Sequence, residues 1–385
     1  MLAVGETLGW ASLFYIYGAL LVWIEADTGW DRTSLAIGLT LALLVSALSV
    51  SFAGRLVDRG LGAELLVGGA GLGGLALLGL SQVHSLSGWY IYWAIIGLAM
   101  SASFYDMCFA FLTRRLGDQA RPAIIRVTLV AGLASTLAFP LGAVLAQAFG
   151  WRMAVVTFAL LQLFVTVPLF YIAGRRLRRG ERPAASEMIA DVKKHGSWQL
   201  AKKPAFWLLA GTFGLASMNH AMLVTYFIPI FTGLGVLKVS AVAAASIVGP
   251  FQVIGRIVLM LKGGQVGVLF STRVALTGLV LSSAILMAVG LQPMLVFVFA
   301  AVQGASVGMT SILRPVLIAE VMGRENFGAV SGAIASVPLL ATATAPIAGA
   351  LLLGAGGIPA LLGAAMIMAL TGLCLAFLLR VSRLD

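Results

Sequence analysis

The sequence predicts an all-α integral membrane protein, in which twelve transmembrane helices form two six-helix bundles. Three observations lead to this prediction. Only 10% of the 385 residues are charged and 61% are apolar, whereas a soluble domain normally carries about 25% charged residues. The charges fall in short clusters between apolar runs of membrane-spanning length. A single offset also superposes the second half of the chain on the first.

Twelve apolar runs are long enough to be transmembrane helices, because about 20 mainly apolar residues cross a bilayer core of about 30 Å. In the first half the runs cover residues 2–24, 34–54, 65–82, 88–112, 122–149 and 153–174. In the second half they cover residues 204–233, 239–261, 274–290, 293–321, 327–353 and 358–379. An even number of spans places both termini on one side of the membrane.

The basic residues predict which side that is. Of the 25 Lys and Arg residues, 19 lie in alternate loops and at the C-terminus, three lie in the other loops (Arg32, Arg152 and Lys238), and three lie inside apolar runs. Cytoplasmic loops carry the excess of Lys and Arg, so we expect both termini to be cytoplasmic in a bacterial-type inner membrane. The net charge of +11 is then a topology signal and an attraction to anionic lipid, and it requires no nucleic acid.

The two halves of the chain resemble each other at an offset of 206 residues. This offset aligns Gly5 with Gly211, Gly29 with Gly235, Gly117 with Gly323, Pro140 with Pro346 and Gly150 with Gly356. Two halves in the same orientation imply a pseudo-two-fold axis along the membrane normal, with a substrate site between them at mid-depth. We expect an N-terminal bundle (1–174), a cytoplasmic linker (175–204) and a C-terminal bundle (205–385). Residues 186–203 of the linker form either a solvated connector or an interfacial amphipathic helix.

Short motifs add a family resemblance that covers the whole chain. They are Gly9-Trp10, Gly29-Trp30-Asp31-Arg32, Gly54-Arg55-Leu56-Val57-Asp58-Arg59-Gly60, Phe149-Gly150-Trp151-Arg152 and Arg314-Pro315. With them the chain resembles the major facilitator superfamily and, within it, bacterial transporters of the monocarboxylate and oxalate/formate type. The resemblance implies a secondary active transporter. The glycine-proline signature of drug/proton antiporters in helix 5 is incomplete here, which disfavours that subfamily.

The loop between the second and third runs resembles the signature loop of the superfamily. The resemblance implies that Gly54, Asp58 and Arg59 form a conformational switch, in which a carboxylate pairs with an arginine of a neighbouring helix in one conformer only. The alternative is a turn that serves only topology. This loop departs from the signature at one point. The glycine after Arg59 follows it directly, as Gly60, whereas the signature has that glycine one residue further on.

Ionisable residues inside the runs are candidate functional residues, because a charge at the bilayer centre costs about 2.5–3.5 kcal/mol. They are Glu6, Asp106, Arg126, His220, Arg256, Arg314 and Glu320. Three arginines among them suggest a positive cavity that suits an anionic substrate. Relatives of the monocarboxylate type place a substrate-binding arginine in helix 8, and Arg256 matches it, although Gln252 replaces the acid found four residues earlier. Arg256 would hold a carboxylate through a bidentate fork; pairing with an acid of another helix is the alternative.

The remaining candidates have two interpretations each. Arg314 either lines the cavity or bonds a carbonyl freed by Pro315. Asn219, His220 and Tyr15 either complete the substrate site or pack against neighbouring helices. Asp106 and Arg126 form a structural ion pair, or else Asp106 carries a proton. Glu6 is the rival proton carrier, unless it lies at the interface near the start of helix 1.

The sequence therefore predicts a proton-coupled transporter of a small, monocarboxylate-like organic anion. One alternative is a proton-coupled exporter of amphipathic, drug-like compounds, and another is a membrane scaffold or sensor that does not transport. Motifs for metal, disulfide exchange or nucleotide phosphates do not occur, so we expect no enzyme, cofactor or metal. The expected partners are a small-molecule substrate, protons and the bilayer, and the expected state is a monomer.

Overall fold

The computed structural model describes residues 1–179, 203–262, 266–323 and 327–379. The chain divides into two compact units, Met1–Glu187 and Met188–Asp385. Most of the predicted linker, residues 180–202, lies outside the described residues. Within the described ranges, nine continuous helical segments are long and apolar enough to cross a membrane.

Three of these segments each supply two crossings. Arg32–Leu80, Pro122–Leu177 and Val330–Leu378 contain 49, 56 and 49 residues, far more than one bilayer crossing requires. Each is interrupted by a glycine with a positive φ: Gly60 (91°), Gly150 (82°) and Gly357 (64°). A residue with a Cβ atom rarely adopts this conformation. Glycine at these positions therefore lets the helix break, and the chain turns back there. The described helices thus provide the twelve predicted crossings.

The first unit contains the helices α1 to α6, and several are irregular. They are α1 (Leu2–Thr28, with a π-helical segment Ala11–Tyr15), α2 (Arg32–Leu56), α3 (Gly62–Leu80), α4 (Leu86–Leu116, broken at Phe104), α5 (120–149, broken at 132–133) and α6 (151–179, with a π-helical segment Gln162–Thr166). Apolar residues of all six helices form one core, which includes Leu2, Leu66, Phe111 and Phe170.

The second unit contains the helices α7 to α12. They are α7 (Pro204–Gly233), α8 (Lys238–Lys262), α9 (Val268–Ala288), α10 (Leu295–Met322), α11 (327–355) and α12 (358–378). Arg273 of α9 donates hydrogen bonds of 3.3–3.4 Å to the carbonyls of Ala376, Phe377 and Leu379. A cation at the C-terminal end of a helix satisfies its free carbonyls and complements its dipole, so Arg273 caps α12.

Several glycines of the predicted repeat share a positive φ. Four of them lie in turns and have φ values of 67°, 86°, 53° and 87°: Gly29, Gly235, Gly117 and Gly323. The aligned pair Gly150 and Gly356 departs from this pattern by one residue. Gly150 has a positive φ, but Gly356 has a φ of −146°, and the positive φ of the second half falls on Gly357. Local backbone geometry thus follows the repeat with this one-residue correction.

The position of Gly60 has a structural reason. The loop that links α2 and α3 turns sharply at this residue, whose φ of 91° favours glycine.

Val57 is buried, whereas Asp58 and Arg59 are exposed. A Cβ atom at Gly54 would meet nothing within 4 Å, and no ion pair joins Asp58 to any residue in the described ranges. The switch role of Gly54, Asp58 and Arg59 stays a prediction.

Asp31 caps the N-terminus of α2. Its Oδ1 atom accepts hydrogen bonds from the backbone N–H groups of Thr33 (2.9 Å) and Ser34 (3.0 Å), and its Oδ2 atom accepts one from the Ser34 hydroxyl. The Ser34 hydroxyl, followed by the backbone amides, lowers the pKa of Asp31 from its ordinary value of 3.8. These bonds favour the carboxylate form.

This cap should weaken in acid. A carboxyl whose pKa is lowered by folding adds stability above its unfolded pKa, and that stability is lost as the pH falls through the folded value. We expect α2 to lose roughly 0.3–1 kcal/mol of local stability below a pH of about 4, because a neutral carboxyl still caps but no longer complements the helix dipole. Hydrogen exchange of residues 31–36 in detergent should show the loss in the native protein and not in Asp31→Asn, which caps without titrating. Equal pH dependence in both proteins would contradict this assignment.

Candidate functional site

Arg256 lies where α8 and α10 cross closely. The crossing depends on glycine, because a Cβ atom at Gly255 would lie 2.8 Å from the Ala305 Cα atom and one at Gly308 would lie 2.8 Å from the Gln252 Cα atom. Small residues let membrane helices approach to backbone contact. The approach leaves the Arg256 side chain only 5% exposed, six residues or about 9 Å from the end of α8.

The facing helix α10 carries a second arginine, Arg314. The Arg256 Nε atom donates a hydrogen bond of 3.3 Å to the Ser311 Oγ atom on α10. Arg314 follows Ser311 by three residues, so the two side chains are neighbours on one face of α10, and Arg314 is half-buried. Helical spacing therefore places Arg314 on the same face of α10 as Ser311, the hydrogen-bond partner of Arg256, and the sequence alone does not single out Ser311. We call these three residues the arginine site.

The arginine site is electropositive. From residue 203 to the end of the chain the sequence contains three acidic residues, Glu320, Glu325 and Asp385, and none lies deeper in a span than Glu320. Glu320 follows Arg314 by six residues and is exposed. Two guanidinium groups in such surroundings can bind a carboxylate or another oxyanion through charge-assisted hydrogen bonds.

Asn219 lies elsewhere, in a buried network that joins four helices. Its Nδ2 atom donates to the Ala365 carbonyl (2.9 Å) and the Ser283 Oγ atom (3.5 Å), and its Oδ1 atom accepts from Gln303 Nε2 (3.2 Å). The Ser282 hydroxyl donates to Gln303 Oε1 (2.5 Å). Asn219 and Gln303 are both fully buried. The amide of Asn219 is thus engaged between α7, α9, α10 and α12, which favours the packing role over the substrate role, and the substrate role of Asn219 stays a prediction.

His220 and Tyr15 are less enclosed. His220 is half-buried, and its Nδ1 atom has no hydrogen-bond partner among the described residues. Tyr15 is half-buried and packs edge-on against Phe14 (centroids 5.1 Å apart) and Phe139 (6.3 Å). The predicted substrate roles of Tyr15 and His220 remain proposals.

Asp106 and Arg126 do not form the expected ion pair within the described part of the chain. Both residues are exposed. The reason is their register across the turn at residue 118. Asp106 lies twelve residues before that point and Arg126 eight residues after it, so they differ in depth by about 6 Å. Asp106 instead stands in the first turn of the segment that follows the break at Phe104, where the helix dipole favours an acid.

Glu6 is fully buried, so its side chain is not exposed at the start of α1. The thiol of Cys108 is its polar neighbour. Three further polar residues of the first unit, Ser12, Gln162 and Thr166, are also fully buried. The sequence alone does not single them out, because a single polar residue within an apolar run carries no signal of its own.

An aromatic cluster surrounds the break in α4. The Trp10 ring stacks on Phe104 with centroids 4.2 Å apart and lies 5.1 Å from Tyr105, which stacks on Phe109 at 5.1 Å. Asp106 is exposed beside this cluster. A charge that faced lipid would be costly, so this face of α4 borders water. Flat aromatic rings beside a carboxylate can hold an aromatic or cationic group.

The Phe149-Gly150-Trp151-Arg152 motif is structural. Trp151 Nε1 donates to Asp27 Oδ2 (2.8 Å), and Arg152 Nη1 donates to the carbonyls of Ser81 (3.1 Å) and Val83 (2.8 Å). The motif thereby ties the ends of α1, α3 and α6 together at the end of the unit opposite the α2–α3 loop.

These features define an integral membrane transporter rather than an enzyme, and comparison with known proteins names its family. The model of the Major Facilitator Superfamily matches residues 2–292, so the chain belongs to this superfamily. An "MFS-type efflux pump" of Mycolicibacterium smegmatis is 26% identical over 236 residues, which cover 60% of this chain and 53% of that protein. The chain thus spans about half the length of this relative.

Solved structures show the same fold. The crystal structure of the nucleoside transporter NupG has a TM-score of 0.72 at 14% identity, and the match covers 98% of this chain and 96% of that one. A mutant of the same transporter has a TM-score of 0.74 at 13% identity and covers 98% of both chains. At these identities the similarity concerns the fold alone.

Proposed function

We propose that this transporter moves a small organic anion, such as a monocarboxylate, across the membrane by alternating access, coupled to protons. The observation that carries the proposal is the arginine site. The Nε–Ser311 hydrogen bond fixes one edge of the Arg256 guanidinium, and Arg314 adds a second cation one helical turn from Ser311. A carboxylate matches this geometry, because guanidinium groups bind it through two parallel hydrogen bonds.

The membrane, the orientation and the oligomeric state of the transporter are part of the same proposal. The 19 basic residues in alternate loops and at the C-terminus support cytoplasmic termini in a bacterial-type inner membrane. We place the protein there as a monomer. His220 and Tyr15 would contact the uncharged part of the substrate, and the α2–α3 loop would bias one conformer.

Uptake into proteoliposomes tests whether the substrate is an organic anion. Purified protein would be given an inward proton gradient and a panel of small carboxylates. We expect accumulation of a carboxylate, and we expect Arg256→Gln to raise the concentration for half-maximal uptake roughly 10- to 100-fold, because a hydrogen bond to a charged group contributes about 1.5–3 kcal/mol. Arg256→Lys should recover part of the loss, since it keeps the charge without the fork.

The matched control is Arg175→Gln, which removes an exposed arginine at the cytoplasmic end of α6 and should leave uptake unchanged. Equal transport by the native protein and by Arg256→Gln would contradict the proposal. So would movement of lipophilic cations alone.

Export of an amphipathic compound is the second candidate function. It is favoured by the efflux-pump name of the mycobacterial relative and by the aromatic cluster beside Asp106. For this function Asp106→Asn should reduce the export of a lipophilic cation such as ethidium, while Arg256→Gln should not. The same liposomes therefore separate the two functions.

A further inference from the structure

The first unit contains a buried acid whose charge the surrounding protein does not satisfy. Glu6 is fully buried, and neither carboxylate oxygen has a hydrogen-bond partner of normal geometry in the ranges that the structure describes. The neighbouring Cys108 thiol is a weak donor. An isolated carboxylate is far more costly to bury than a neutral carboxylic acid, so these surroundings suit a Glu6 side chain that holds a proton.

Helices α1 and α6, which carry the further buried polar atoms, pack against each other. Gly5 of α1 lies against the Phe170 ring of α6, which sets the register of these antiparallel helices. At 1.5 Å per residue, Thr166 then lies near the level of Gly9, and Gln162 lies near the level of Ser12. Gly5 and Ser12 are seven residues apart and therefore share one face of α1.

All of these polar side chains are buried and unsatisfied. Ser12, Gln162 and Thr166 are fully buried, and the Ser12 Oγ, Thr166 Oγ1 and both Gln162 amide atoms have no hydrogen-bond partner among the residues described. Ser12 and Gln162 also lie in π-helical segments, Ala11–Tyr15 and Gln162–Thr166. Such segments are rare and are frequent at functional sites.

Taken together, Glu6, Ser12, Gln162 and Thr166 form what we call the polar seam. Hydroxyl and amide groups that can both donate and accept hydrogen bonds are suitable ligands for ordered water, which needs two to four polar partners. The seam carries no cation and runs from Glu6 toward the middle of α1. This is the arrangement that a proton pathway requires, because water and hydroxyl groups can pass a proton along hydrogen bonds.

We propose that the polar seam between α1 and α6 is a hydrated proton site, in which Glu6 carries the proton as a carboxylic acid and Ser12, Gln162 and Thr166 hold the water that exchanges it. No covalent bond other than O–H is made or broken: the proton leaves Glu6 for water and returns from water. The proposal rests on the proposed function in one respect, namely that the transported proton is the coupling ion.

Among the described residues, few charged and titratable groups lie around Glu6. Helix α4 contributes Cys108 and the Asp106 carboxylate, which acts on Glu6 electrostatically. Helix α5 contributes Arg126, which is exposed, and α3 and α6 carry Glu64 and Arg175 nearer their cytoplasmic ends, where both are exposed. A proton on Glu6 removes its repulsion with Asp106.

Infrared spectroscopy of the purified protein in lipid tests the site without any substrate. We expect the C=O stretching band of a protonated carboxylic acid at neutral pH, its loss in Glu6→Gln and its retention in Asp106→Asn. Glu6→Asp should shift the band. On transfer to D₂O the band should shift in the native protein, and Gln162→Leu should slow this exchange roughly tenfold, as one added barrier step of 1.36 kcal/mol would.

Two results would overturn the proposal. One is an unchanged carboxylic acid band in Glu6→Gln, checked to be folded by circular dichroism. The other is an exchange of the Glu6 proton for deuterium that is as fast in both Gln162→Leu and Ser12→Ala as in the native protein. Because no substrate is used, these outcomes are independent of the carboxylate uptake assay. A positive infrared result with no carboxylate uptake would support the proton site and contradict the proposal that the substrate is an organic anion.

Discussion

Replacement of Gly308 by alanine is expected to destabilise the second unit by about 1–3 kcal/mol, the usual cost of an extra methyl group in a packed core. The new Cβ atom would lie 2.8 Å from the Cα atom of Gln252. A flexible side chain could move away, but the contact is with backbone, so the two helices must separate. Gly255→Ala should have a similar effect, since its Cβ atom would meet the Ala305 backbone at the same distance.

The change at Gly308 should also reach the arginine site. Ser311 follows Gly308 on the next turn of α10, and Arg256 follows Gly255 directly, so separation of the helices lengthens the Arg256–Ser311 hydrogen bond. We therefore expect uptake to fall together with stability. Neither substitution touches a charged group, so a loss of uptake here would reflect geometry.

The matched control is Gly332→Ala on α11. A Cβ atom there would meet nothing within 4 Å, and alanine is preferred to glycine in a helix by about 0.5–1 kcal/mol. This variant should be slightly stabilised, as measured by SDS-induced unfolding in mixed micelles. A destabilisation of Gly308→Ala no larger than that of the control would show that the α8–α10 crossing tolerates a side chain.

The number of helices could be predicted because hydrophobic length is read directly along the chain. The turns at Gly29 and Gly150 were also accessible, since glycine is the residue that a positive φ favours. The pairing of polar groups was not accessible. Runs that are apolar on all sides do not reveal how each helix is rotated, so nothing in the sequence relates Asn219 to Gln303, 84 residues later.

The candidate site shows the same limit. Arg256 could be singled out from its resemblance to a known position and from the cost of burying a charge. Its neighbour Ser311 could not, because serine is common in membrane helices and the contact depends on the glycine crossing. The prediction of an Asp106–Arg126 pair assumed similar depth from span length. The actual register depends on where the turn at residue 118 falls.

The buried network of Asn219 should contribute to stability as a unit. Gln303→Leu removes the donor to Asn219 Oδ1, and Asn219→Leu removes the acceptor of Gln303 Nε2. Each substitution leaves a buried polar group without a partner and should cost about 1–3 kcal/mol. The double variant should cost less than the sum by about 0.6–1.7 kcal/mol, the range measured for hydrogen bonds between membrane helices.

The same unfolding titration measures this coupling. Thr342→Val is the control, since the Thr342 hydroxyl donates to the Pro338 carbonyl of its own helix at 2.9 Å, and its loss should change stability by less than about 0.5 kcal/mol. Because α7 and α10 meet through this network, both single variants should also lower the unfolding midpoint more than the control does. Strict additivity of the two substitutions would mean that Asn219 and Gln303 act separately, and the amide of Asn219 would then again be a candidate for substrate binding.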